Sequence, residues 1–395
     1  MLAFLNGWLA EGWIQGWVAS WVEATSSLWA IGGHHLIQAT LFSGLLFGLI
    51  LLLARGPARL RHTLCLVASL KFLIPSAALI GVAALFRLDV GSLSGTLHGN
   101  LEGLVGDWLY RLLVGGPEAG RNAPAPSLLV AVLVTTWLAG ASWLFSRWIR
   151  GHRELGRAVR TGRLLTEGRE LRILQRLRRR LSIRRPVWLI ASTEMSGASV
   201  WGILRPSVVL PEGIEDELTA EEMEAVILHE LIHIQRWDNL VATVQRMLCC
   251  VFWFHPLLWL LDRKLLVERE RVCDERVVAL SGASMPYARG LLKVLRFGVG
   301  LRPAGVSAAT ASNLKARIER IRTGTRGRSW PRVVQVGLVA AGLVLFLAVS
   351  VMAQRPVCNG GSPGASKTQK IERVEKAPTR TAASASPCNR GQKAG

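Results

Sequence analysis

The residues that could do chemistry are His229-Glu230-Leu231-Ile232-His233. Residues four apart share one face of an α-helix, so both imidazoles can ligate one Zn²⁺. Glu230, beside the first of them, then comes within reach of a water on the metal as general base. A catalytic zinc needs a third protein ligand and keeps one position open. Downstream, Glu270-Arg271-Val272-Cys273-Asp274 places two carboxylates four apart on one helical face. Glu270 completes a two-histidine, one-glutamate site, and Asp274, one turn later, can hold a ligand histidine's second ring nitrogen. The competing reading is a solvated mixed-charge helix, since Glu268, Arg269, Arg271, Glu275 and Arg276 crowd the same run. Cys273 is another possible ligand, but a thiolate suits a closed site, so it is assigned to the core.

Helices must position these groups. Thr219, with Glu222 three residues on, forms a capping box. The apolar periodicity through Met223, Val226, Ile227 and Leu231 then carries the helix to the histidines. Between the two site helices lies an uncharged run, Met247 to Leu261, which includes Phe252-Trp253-Phe254-His255-Pro256. It cannot be a single membrane crossing, because His233 and Glu270 must meet at one metal and so lie on one side. It is expected to form a hydrophobic hairpin or an interfacial helix, holding the site close to the bilayer. His255 is considered as a donor near the site, against the plainer reading of a histidine that caps a turn.

The rest of the chain reads as membrane protein. Half of the 395 residues are hydrophobic, and the mean hydropathy is +0.31 with a pI near 11.1. Six cysteines are too few for a disulfide-stapled secreted miniprotein. Four stretches approach the length that ~30 Å of hydrocarbon requires of a helix: Leu36 to Ala54, Thr63 to Phe86, Ser127 to Phe145 and Val333 to Gln354. The second holds Lys71 and Pro75, which a bundle interior tolerates. The expected fold class is therefore mainly α and integral-membrane, with four transmembrane helices and a cytoplasmic α+β zincin-like metallopeptidase domain.

Charge sets the orientation. Residues 1–33 have Glu11 and Glu23 but no Lys or Arg, placing the N-terminus outside. Arg55, Arg59 and Arg61 place the next turn in the cytoplasm, and the mixed-sign loop 87–126 suits the outer side. From Arg147 to Arg332 there are 33 Lys+Arg against 19 Asp+Glu, which marks 147–332 as the cytoplasmic peptidase domain. The expected domains are thus 1–33, 34–146 with the first three spans, 147–332, the fourth span at 333–354, and an outer tail at 355–395 of disordered composition. Cys358 and Cys388 in that tail could pair or stay free. No basic n-region marks a cleavable signal peptide. Instead Trp8, Trp13, Trp17, Trp21 and Trp29 suggest an outer interfacial helix, with a weak fifth span as the alternative.

These residues resemble a family: the integral-membrane zinc peptidases of the BlaR/MecR antirepressor type. The resemblance takes in Arg61-His62-Thr63-Leu64, then Trp201-Gly202-Ile203-Leu204-Arg205-Pro206 through Pro211. It continues with His229 through Asp238, Phe252 through Pro256, and Glu268 through Glu275, covering roughly residues 34 to 355. It implies that His229, His233 and Glu270 bind zinc, that Glu230 is the catalytic acid/base, and that the locality is a bacterial cytoplasmic membrane. It further implies that Val200 to Leu210 is an edge strand pairing with extended substrate, the alternative being a core strand. The family's antibiotic-sensing members carry an outer penicillin-binding domain after the last span. Here the tail has only Ser366-Lys367-Thr368 in low-complexity sequence, so direct β-lactam sensing is not expected and a separate sensor protein could supply the signal.

The leading expectation is a regulatory zinc endopeptidase whose protein substrate is a cytoplasmic BlaI/MecI-like winged-helix repressor. Two alternatives stand beside it: a zinc-stabilised receptor or scaffold with no hydrolysis, and a general membrane quality-control protease. The run Arg176, Arg178, Arg179, Arg180, Arg184 and Arg185 raises nucleic-acid binding as a further possibility. It lacks interleaved stacking aromatics, so membrane lipids rather than direct nucleic-acid contact are the expected partners of these charges.

Overall fold

The computed structural model describes residues 2–74, 128–301, 308–323 and 330–351. The loop 87–126 expected on the outer side, the later part of the second expected span and the tail with Cys358 and Cys388 lie outside the described residues.

Before Pro57 the chain has no proline, and the helix α1 (Leu2–Leu52) runs without a break. The Trp-rich segment is thus continuous with the first expected span instead of forming a separate helix. α2 (Ala58–Leu73) follows a short turn, and α3 (Leu128–Thr161) continues past the end of its apolar stretch into charged sequence. Trp21 Nε1 donates to Thr135 Oγ1 at 3.2 Å, which ties the early part of α1 to α3. Among the described residues two helical stretches are long and apolar enough to cross a membrane, His35–Leu52 and Leu128–Thr161. The expected fourth span falls on a shorter apolar helix, and the second span's helix is described only to Leu73.

The domain that follows α3 is built on a small sheet. β1 (Arg163–Leu164) leads to α4 (Arg169–Arg180), then come β2 (Trp188–Ser192), β3 (Ser199–Trp201) and β4 (Ser207–Pro211). The order is β1-β2-β4-β3, with β2 and β4 parallel and both flanking pairs antiparallel. A short turn of helix, α5 (Ile214–Glu217), precedes the helix α6 (Ala220–Arg236). Then follow α7 (Asp238–Val251), α8 (Pro256–Ser281), α9 (Ser284–Leu301), α10 (Ala308–Thr323) and α11 (Arg332–Val351).

Local chemistry explains the ends of the site helices. Thr219 accepts from the Glu222 N–H at 3.3 Å and Glu222 accepts from the Thr219 N–H at 3.0 Å, so the capping box starts α6. α6 stops at Trp237, which takes a left-handed φ of 60° that a bulky residue rarely adopts. Arg185 holds it there: its guanidinium stacks 3.8 Å from the Trp237 ring centroid and donates to the carbonyls of Ile203 and Ile234. The uncharged run at 247–261 forms the turn of a helical hairpin between α7 and α8, with Pro256 at the start of α8, where its missing N–H costs nothing.

α8 is shared between two cores. Its first half, through Leu261 and Leu265, packs with α1, α2 and Phe346 of α11. Its second half, through Cys273 and Val277, joins the core around α6 and the sheet. Arg61 on α2 fixes this beam. Its guanidinium reaches Glu268 at 2.7 Å with both groups buried, and it also donates to the carbonyls of Leu53, Ala54 and Gly56 at the end of α1. Lys71, inside the same bundle, sits 5.3 Å from the Phe346 ring centroid.

The arginine run divides by partner. Arg176 pairs with Glu224 at 2.7 Å, Arg180 donates to the Leu280 carbonyl at 2.8 Å, and Arg185 is the clamp just described. Three of the six arginines thus tie the domain together; the other three are Arg178 and Arg179 at the end of α4 and Arg184 in the segment after it.

Candidate metal centre

α6 and α8 cross so that His229, His233 and Glu270 offer ligand atoms within 4.8 Å of one another. The two Nε2 atoms are 3.0 Å apart. Glu270 Oε2 lies 3.5 Å from His229 Nε2, and Oε1 lies 3.8 Å from His233 Nε2. Ligands ~2.0–2.2 Å from a tetrahedral zinc stand about 3.3 Å from each other, so the donors fit such an ion.

The partners of the other ring nitrogens set the tautomers. His233 Nδ1 donates to Asp238 Oδ2 at 2.7 Å. The Tyr287 hydroxyl gives its proton to Asp274 Oδ1 at 2.6 Å and so accepts from His229 Nδ1 at 2.8 Å. Both Nε2 lone pairs are thereby turned toward each other and toward Glu270, the second-layer arrangement that raises ligand basicity. Asp274 therefore acts on His229 chiefly through Tyr287, with its own oxygen 3.6 Å from Nδ1. Arg317, on α10, closes this layer. It bonds Asp274 at 2.7 and 3.0 Å, lies 3.2 Å from Glu270 Oε2, and stands 3.5 Å from His229 Nε2.

The carboxylates divide by environment. Burial pushes Glu230 up to about 6, against the pull of His233 and with the push of Glu270. Burial also acts upward on Glu270, but hydrogen bonding to His229 and the charges of His233 and Arg317 hold it well below the ordinary carboxylate range. Asp238 is lowered likewise, burial being outweighed by the His233 hydrogen bond and Arg236. One carboxyl poised to trade a proton beside others held ionised is the pattern of a general base among ligands.

Cys273 is fully buried, and burial together with the charge of Asp238 raises its thiol well above the ordinary value. Its sulfur lies 3.5 Å from His233 Nδ1, the nitrogen that faces away from Glu270. A thiol on that side of the ring does not reach the position shared by the two Nε2 atoms. His255 is placed elsewhere: its Nε2 is 2.8 Å from Thr40 Oγ1 and its ring packs edge-on to Phe72 at 5.0 Å, between α1 and α2.

A cavity of about 700 Å³ opens over His229, Glu230, His233 and Glu270 and is walled on one side by residues Ser196 to Val200. The stretch 200–210, expected as one edge strand, divides into two. β4 is buried at all five positions in the middle of the sheet, and of this stretch only β3 lies at an edge, β1 being the other edge strand. Asn239 Nδ2 donates to the Val200 and Gly202 carbonyls at 3.1 and 3.0 Å, so from the Val200 carbonyl onward the acceptors of this edge are taken.

Sequence reasoning assigned no part to Asp238, Asn239, Tyr287 or Arg317. Asp238 and Asn239 had a signal, standing directly after a helix that ends without glycine or proline. Tyr287 and Arg317 had none, being 13 and 43 residues beyond Asp274.

Comparison with known proteins agrees in its coarse outline. The profile of the BlaR1 peptidase M56 family matches residues 119–321. The chain is 25% identical over 151 residues to the regulatory protein BlaR1 of Bacillus licheniformis, covering 38% of this chain and 25% of that protein. It is 27% identical over 104 residues to the methicillin resistance mecR1 protein of Staphylococcus aureus, covering 26% and 18%. It is 38% identical over 74 residues to a protease HtpX homolog of Sulfurovum sp., covering 18% and 27%. The chain thus spans about a quarter or less of the length of the first two relatives. With just over half of its residues matched by the profile, the chain belongs to the BlaR1 peptidase M56 family of metallopeptidases.

Proposed function

We propose that this chain is a membrane-embedded zinc endopeptidase with a cytoplasm-facing site, and that it acts as a regulatory protease on a cytoplasmic transcriptional repressor. The observation that carries the catalytic reading is the pair of Nε2 atoms, turned inward by Asp238 and Tyr287, beside Glu270 and the buried Glu230. Zinc bound there would supply a Lewis acid for the scissile carbonyl and lower the pKa of a water in its open position.

The protein's own residues do the rest. His229, His233 and Glu270 would hold the ion, and Asp238 and Tyr287 keep the imidazoles in register. Glu230, raised toward neutrality, takes a proton from the attacking water and passes it to the leaving amine. The open part of the β3 edge, up to Val200, pairs with the substrate backbone.

The test is metal analysis and peptide hydrolysis with the purified full chain. His233→Ala should lose the metal; Glu230→Gln should keep it and lose hydrolysis. Turnover by the Glu230→Gln variant at the parental rate would overturn the mechanism. The scaffold reading requires a fourth protein ligand, and Cys273 stands on the wrong side of His233 to be one. A general membrane protease is favoured by the 38% identity to the HtpX homolog segment. A gene for a small winged-helix repressor beside this one would favour the regulatory role instead.

A further inference from the structure

A second cavity, of about 520 Å³, adjoins the first. The two share Val200, Asn239, Leu266 and Arg269 as walls, so they are two parts of one groove along β3. Asn239 is the boundary. By taking the Val200 and Gly202 carbonyls it ends the edge at which an extended peptide could pair, so a substrate running past it must leave the strand. What it meets there is side-chain surface. Trp148 and His152 of α3 stack with centroids 5.4 Å apart, and His152 lies tilted against Trp201 of β3 at 4.3 Å. The Trp201 ring comes so close to α3 that a Cβ on Gly156 would lie 2.9 Å from it, which is why a glycine stands mid-helix at that position. On the far wall Arg246 is 3.4 Å from Asp262, and Arg269 reaches out of this cavity to Glu270 of the first at 3.1 Å. The cavity therefore offers aromatic faces beside charges that already have partners, at a size usual for ligand pockets.

We propose that this cavity is a specificity subsite that takes one large apolar or aromatic side chain of an extended peptide substrate, at the point where backbone pairing with β3 stops at Asn239. The proposal rests on the peptidase reading above.

The experiment uses the zinc-loaded full chain in detergent and a degenerate library of internally quenched peptides. The parent should prefer a large apolar residue over alanine at one position relative to the cleaved bond, by about tenfold or more in kcat/KM. Trp201→Ala should flatten that preference. Ala242→Phe, which fills the cavity without removing its aromatic wall, should turn it toward small residues. Cleavage with no such preference in the parent, or with the parental profile kept in Ala242→Phe, would overturn the subsite alone. A zinc-loaded chain that cleaves no peptide would overturn the peptidase reading and the subsite with it. If Trp201→Ala does not fold, Ala242→Phe decides the matter.

Discussion

Replacing Arg61 with leucine should destabilise the protein more than any single change at its surface. The guanidinium is 4% exposed and its partner Glu268 is fully buried, so the substitution leaves an ionised carboxylate without its closest counter-charge. Breaking a buried pair from one side costs about 3–5 kcal/mol. Glu268 keeps Lys264 at 3.3 Å and Arg271 at 3.4 Å, which moderates the loss. The carbonyls of Leu53, Ala54 and Gly56 lose their donor, which adds to it. The expected outcome remains within about 3–5 kcal/mol, a fall in Tm of roughly 6–20 °C for a domain of this size. Tryptophan fluorescence during heating in detergent measures it. The double variant Arg61→Leu, Glu268→Leu places two apolar side chains beside Leu60, Leu64 and Leu265 and should recover most of the loss. A drop under ~1 kcal/mol in the single variant, or a double variant no better than it, would refute the claim that this pair locks α8 in register.

Three further outcomes follow from the site. In the metal-free protein, burial raises Glu230 from its ordinary 4.5 to about 6, so its ionised form costs the folded state about 2 kcal/mol. That cost is absent below pH 4.5, grows as pH rises to 6, and is complete above it. The chelated Glu230→Gln variant should therefore melt roughly 4–8 °C above the parent at pH 7.5 and level with it at pH 4, and a gap that ignores pH would contradict this. Tyr287→Phe removes the acceptor of His229 Nδ1 and should weaken zinc binding about 10–100-fold in a chelator competition; unchanged affinity would show that Tyr287 does not orient the ring. Thr219→Ala opens the capping box and should lower stability by ~1 kcal/mol, read in thermal unfolding, while leaving zinc affinity at the parental value.

Local periodicity and chemical type make some of this protein legible in its sequence. Residues four apart on a helix face must neighbour one another, so the pairing of His229 with His233, and of Glu270 with Asp274, follows from spacing alone. The capping box at Thr219 follows in the same way, and the demand that two ligand helices meet excludes a single crossing at 247–261, leaving a hairpin or an interfacial helix, of which the fold has the hairpin. The apolar runs that become α1 and α3 are visible because membrane-length helices need little beyond composition.

What packing decides is everything that joins distant segments. The histidine tautomers depend on Asp238, placed by the left-handed turn at Trp237, and on Tyr287, carried in by a helix with no motif. Arg317 reaches the site across 43 residues of chain from Asp274. Whether 200–210 lies at an edge or in the middle of the sheet depends on strand order, which puts β4 inside and leaves β3 for Asn239 to cover in part. Arg61 illustrates the difference most plainly: in the sequence it is one basic residue that helps to set topology, and only the fold reveals Glu268 as its buried partner. Helix spacing carries information over one turn of chain, whereas contacts between elements depend on how whole surfaces fit, and no short pattern encodes that fit.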